Sequence, residues 1–98
     1  MTNMALDSLE AVFPEIIALM ESEFDSHQFI LALAQAHQRL YVAALSGYAD
    51  TDRPFQIVHG ELAKRLYNFP NLVTKVGEHY SEDIFRQANS AAVWRKVS

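Results

Sequence analysis

Between residues 6 and 24 the apolar side chains Leu6, Leu9, Val12, Phe13, Ile16, Ile17, Met20 and Phe24 recur at intervals of three and four. This spacing lines them along one side of a helix, with Glu10, Glu15 and Glu21 largely elsewhere, and predicts an amphipathic helix over about 7–23. Pro14 lies inside the pattern. Its ring removes a donor and clashes with the preceding turn, so one helix is expected to end near Val12 and another to open with Pro14 at its first position.

A second start follows at Asp25-Ser26-His27-Gln28, where Asp25 can accept from free amides of the first turn and Gln28 can reach back, as in a capping box. Phe29, Ile30, Leu33, His37, Leu40, Tyr41, Ala44, Leu45 and Tyr48 then form a stripe. One helix about 30 Å long is expected over 26–47. It should end at Gly47 in the left-handed conformation. Residues 48–54 are rich in turn formers, and Pro54 opens a third helix over about 54–68. Phe55, Val58, Leu62, Leu66 and Phe69 make its apolar stripe, while Glu61, Lys64, Arg65 and Asn68 fall opposite. Gly60 weakens this helix by about 1 kcal/mol relative to Ala.

Beyond Pro70 the period shortens to two and β-branched residues accumulate, which predicts strands over about 72–77 and 91–97. A short helical turn is expected at 81–85 and a loop at 87–90. A lone ribbon is marginal in water, so its apolar side must pack on the helices, with Trp94 as the natural anchor. The predicted class is therefore mainly α with a small C-terminal β-ribbon, an α+β domain; an all-α bundle is the alternative. Three helices followed by two strands look like a winged-helix arrangement, a likeness of architecture with no family motif behind it.

The chain has 98 residues, half of them hydrophobic and none of them cysteine, and reads as one domain without repeats or linkers. So small a domain buries about 60–65% of its unfolded surface, which makes oligomerisation a natural source of further burial. The missing cysteines remove disulfide, thiolate-zinc and thiol-redox chemistry and favour a cytoplasmic address. No basic leader and no membrane-spanning apolar run is present, so neither secretion nor a membrane partner is expected.

Charge is divided unevenly. Residues 1–50 carry seven carboxylates against Arg39 alone, net −6, while residues 51–98 carry seven cations against five carboxylates, net +2. This asymmetry suggests attraction between unlike halves of two copies, while +2 falls far short of a nucleic-acid footprint. Between Ser26 and Ser46 the only charged residue is Arg39. That helix is therefore expected to be covered on more than one side, either within the monomer or by a second copy.

The leading functional expectation is a non-catalytic interaction module, a homo-oligomer joined through this helix at Leu31, Gln35, Gln38, Arg39 and Val42. The alternative is a winged-helix regulator in which Lys64, Arg65, Lys75 and Arg95 contact nucleic-acid phosphates, with Arg86 and Lys96 nearby and Gln56 or Asn68 reading bases. Against it, Glu61 and Arg65 at i,i+4 suit a solvated ion pair, and phosphate neutralisation needs more net positive charge. A small-ligand protein or an enzyme is the third reading.

Other chemistry is sparse. Glu23 with His27 and His79 with Asp83 stand four apart, a ligand spacing, but each pair supplies only two groups and no HExxH element exists. No metal, cofactor or catalytic residue is assigned. His37, on the apolar stripe, is expected as a neutral imidazole bonded to a neighbour. Asp25-Ser26-His27 is contiguous, so those side chains diverge around the helix start and form no triad. Most aromatic residues belong to the core, with Tyr48, Tyr67 and Tyr80 expected to be partly exposed.

Overall fold

The computed structural model describes residues 3–97. Helices α1 (Met4–Ala11) and α2 (Phe13–Leu19) precede a short strand β1 (Glu23–Asp25), followed by α3 (Ser26–Ala36), α4 (Gln38–Ser46) and α5 (Pro54–Arg65). A single 3₁₀ turn, Leu66–Asn68, leads to strands β2 (Val73–Glu82) and β3 (Ala88–Lys96). The result is an α+β domain: helices pack on an antiparallel sheet of order β1-β3-β2.

The helix starts follow their sequence signals. Pro14 falls in the first turn of α2 after the chain breaks at Val12. Both halves of the capping box on α3 form: the Gln28 amide donates to Asp25 Oδ1 and the Asp25 amide to Gln28 Oε1, each at 2.8 Å. Phe13, Phe29, Leu9, Leu33, Leu62 and Trp94 meet in one buried core. Phe13 stands edge-on to Phe29 at 4.8 Å. The Trp94 indole N–H donates to Ser26 Oγ at 3.2 Å, so the anchor of the ribbon buries its polar atom with a partner.

Several boundaries differ from expectation. The first helical region ends at Leu19, and Glu23–Asp25 form a strand, which pairs with Arg95, Trp94 and Val93 of β3. Three residues are too few to display alternation. The strand expected over 72–77 forms and runs on as β2 to Glu82, a tight turn takes the place of the helical turn expected at 81–85, and β3 begins at Ala88 within the expected loop. The turn is closed by bonds from the Asp83 amide to the Gln87 carbonyl and from the Arg86 amide to the Asp83 carbonyl, each 2.9 Å. Arg86 takes φ 66°, a left-handed strain that leaves no apolar signature in the sequence.

The single helix expected over 26–47 is two. His37 leaves helical geometry at φ −131° and ψ 60°, which redirects α4 so that it packs against α1. The His37 ring meets Glu15 of α2 at 2.9 Å and stands half-buried at the edge of the core. Gly47 is also not left-handed, at φ −64°. Its small size serves a close approach instead: a Cβ there would lie 2.6 Å from Asn3 Nδ2. Asn3 itself caps α1 and donates to the Ala44 carbonyl at 3.2 Å.

The glutamine-bearing flank of α3 and α4 is uncovered by this chain. Leu31 is 42% and Val42 58% exposed, and Gln35, Gln38 and Arg39 are exposed between them. The expectation of cover within the monomer is overturned. Amides and hydroxyls are hydrated without formal charge, and isolated apolar residues on a surface are ordinary.

Candidate functional site

Helix α5 and the β2–β3 hairpin stand apart over most of their length and enclose a groove of about 570 Å³. Gln56, Gly60, Ala63 and Lys64 on one face of α5, with Arg53 just before it and Tyr67 in the turn after it, line the helix bank. Lys75, Glu78, Gln87 and Asn89 line the hairpin bank, and His27, Ile30 and Trp94 also contribute. Gly60 sits within this wall, and a Cβ there would meet nothing within 4 Å. A mid-helix glycine costs about 1 kcal/mol against alanine, and no close packing in the chain demands this one. It leaves room for something to approach the helix backbone.

At its far end the groove is bridged by the hairpin turn. Phe85 packs edge-on against Phe55 at 4.8 Å and stacks on the His59 ring at 6.2 Å. His59 also lies parallel to Tyr41 of α4, whose hydroxyl is 2.6 Å from His59 Nε2. Burial pushes the His59 imidazole below its usual range, against the pull of the Asp83 carboxylate. Burial raises the Tyr41 phenol, which remains a hydroxyl.

Two other histidines tie the hairpin to the start of α3. His79 Nε2 lies 2.9 Å from Asp25 Oδ2. Burial works to raise the Asp25 carboxyl, but the Gln28 amide, His79 and Ser81 together hold it below the usual carboxylate range. His27 Nδ1 meets Ser81 Oγ at 2.6 Å and its Nε2 meets Asn89 Oδ1 at 2.8 Å. Asn89 in turn donates to Asp83 at 3.0 Å. Amide donation from Gln87 and Phe85 holds the Asp83 carboxyl low as well.

Ser81, His27 and Asn89 stand in the order of nucleophile, base and orienting amide, which the sequence concealed because 54 and 62 residues separate His27 from its partners. The Asp25 carboxylate lies close to Ser81 as well and is held low in part by it. The chain of bonds serves to fasten the hairpin. Neither four-residue pair, Glu23 with His27 or His79 with Asp83, comes together, since His27 and His79 both turn to more distant partners. Among the described residues no group of three or more His, Cys, Asp and Glu could hold a metal ion.

The four cations of the nucleic-acid reading do not form one surface. Lys64 and Lys75 share the groove, where they pair with Glu61 at 2.8 Å and Glu78 at 3.5 Å. Arg65 turns to α1 and bridges Asp7 and Glu10 at 2.8 and 3.0 Å, so the expected pair with Glu61 does not form. Asn68 joins the same cluster, donating to Glu10 at 3.2 Å. Arg95 pairs with Glu23 across the β1–β3 ladder at 3.0 Å, and Lys96 donates to the Ala18 and Met20 carbonyls near the end of α2. Arg65 and Arg95 of the second half thus meet Asp7, Glu10 and Glu23 of the acidic first half within one chain.

Comparison with protein families, with curated proteins and with solved structures finds no match. No helix among the described residues is long and apolar enough to cross a membrane.

Proposed function

We propose that this protein is a small binding module on a winged-helix-like frame, and that it holds its ligand in the groove between α5 and the hairpin. The observation that carries this reading is the open wall at Gly60: a helix interior surrenders stability at a position that lines the groove and has open space around it. Strand β1 on the free edge of β3 supports the architectural likeness, with α5 in the place of a recognition helix and the hairpin in the place of a wing. A duplex reader would need that helix free to enter a groove. Here the turn is folded back onto α5 through Phe55 and Phe85, and all four candidate phosphate contacts are already paired with carboxylates.

Self-association remains as a second reading, favoured by one observation: Leu31 and Val42 are exposed on a flank whose only charge is Arg39. Its mechanism would be burial of that strip with glutamine amides fixing register. Attraction between unlike halves supports it less, because Arg65 and Arg95 are already paired with first-half carboxylates inside the monomer.

Two variants separate the readings. Gly60→Phe fills the groove, and Leu31→Glu with Val42→Glu charges the strip. Small molecules and peptides co-purifying from the native cell are analysed by native mass spectrometry, and oligomeric state by light scattering. A bound species lost only with Gly60→Phe supports the groove; a dimer lost only with the charged strip supports self-association. A wild-type monomer whose bound species all survive Gly60→Phe refutes both.

A further inference from the structure

The hairpin is fastened to the helical body at two levels, each through histidine. At its middle, His79 meets Asp25 and His27 meets Ser81 and Asn89. At its tip, Phe85 rests on Phe55 and His59, with His59 backed by Tyr41. Between the strand's buried root at Val73 and these ties lies an irregularity in the β2–β3 ladder at Lys75/Gly77. Gly77 has nothing within 4 Å of a Cβ position. A bulge beside an unpacked glycine is a place where a strand can bend.

We propose that the Phe55, His59 and Phe85 cluster is a proton-operated gate, which releases the hairpin tip in mild acid and widens the groove. The proposal concerns the regulation of the groove and rests on reading that groove as the binding site.

Closure places the His59 ring between two aromatic faces, and among the described residues only Tyr41 bonds its Nε2. A neutral imidazole accepts that hydroxyl hydrogen at no electrostatic cost. An imidazolium must reverse the bond and give up hydration, a loss that an open tip restores. The charged groups facing His59 are Asp83 from the turn, which attracts the imidazolium, and His27 from α3, which repels it when charged. Burial outweighs Asp83, so the ring holds its proton less well when clasped.

The direction follows. Above the free imidazole value of about 6.5 the closed form keeps its full advantage. As pH falls through that value the open form takes the proton first, and the open-to-closed ratio grows by up to about tenfold per pH unit until the clasped ring also titrates.

The test uses the full chain. Proton NMR follows the His59 ring and the Phe85 ring from about pH 8 to pH 5, and acrylamide quenching follows Trp94, the only tryptophan and a groove residue. The expected result is movement of the Phe85 ring shifts toward free values with the His59 midpoint, and a parallel rise in Trp94 quenching. In His59→Phe both responses should be flat, and Phe85→Ala should show the acid-state quenching already at the upper pH. The proposal is overturned if Phe85 ignores the His59 titration, if Phe85 moves while Trp94 stays shielded, or if His59→Phe leaves the response intact. A response abolished by His79→Gln instead assigns the proton to the middle tie and also overturns it. Ligand binding that Gly60→Phe abolishes at neutral pH stands or falls independently of the gate.

Discussion

Phe13 and Phe85 make nearly the same aromatic contact, each edge-on to another phenylalanine with ring centroids 4.8 Å apart. Their surroundings could hardly differ more, since Phe13 is fully enclosed and Phe85 is 48% exposed. The first contact lies where helices and the sheet converge; the second holds a hairpin tip against one helix. A pair of rings contributes on the order of 1 kcal/mol by itself, and the remainder comes from the area withdrawn from water. The helical body therefore carries the stability, and the outer hairpin is left near the low end of the local-unfolding scale, where ligand gates belong.

Phe13→Ala and Phe85→Ala put that contrast to the largest test. The core truncation should cost about 3–5 kcal/mol in urea unfolding, and the tip truncation about 1 kcal/mol or less. Equal losses would mean that the tip belongs to the core after all.

Asp25 lies on the border between the two regions, capping α3 and holding His79 of the hairpin. Asp25→Ala should cost about 1–2 kcal/mol at neutral pH. Because the folded-state carboxyl is held low, its contribution is complete above the usual carboxylate range and is lost as pH falls through the lowered value. Wild type and Asp25→Ala should therefore converge in stability in acid, apart from the backbone amides that the carboxyl caps. A constant gap across that range would show that the charge plays no part.

Gly60→Ala sharpens the comparison from the groove side. With open space around its Cβ, alanine should stabilise the domain by about 1 kcal/mol, read as a shift in urea midpoint with unchanged slope. No gain would mean that the groove wall is already packed. The smallest effect concerns the turn. Replacing left-handed Arg86 by Gly should give a gain of under about 1 kcal/mol, because relief of the steric cost is partly offset by chain entropy. Destabilisation would indicate that the Arg86 side chain itself holds the tip.

The sequence by itself determined the helical faces, the break before Pro14, the Asp25 capping box and the burial of Trp94. Each is a property of neighbours within a turn or two, and the 3.6-residue and two-residue periods record it directly. The break at His37, the three-residue β1 and the close approach of Asn3 to Gly47 lay beyond such reading. They depend on partners brought from afar, and a residue's type does not announce a partner 41 positions away.

The same holds for the functional surface. The carboxylate partners of Lys64 and Lys75 stand three residues away in the sequence, but the turn of Arg65 and Arg95 to α1 and β1 came only with folding. The groove has no sequence signature, because its banks are a helix and a hairpin whose separation is set by how both seat on the core. Local chemistry fixes what each segment becomes; the distances that make a charge free or spent, and a glycine crowded or open, exist only once the segments have met.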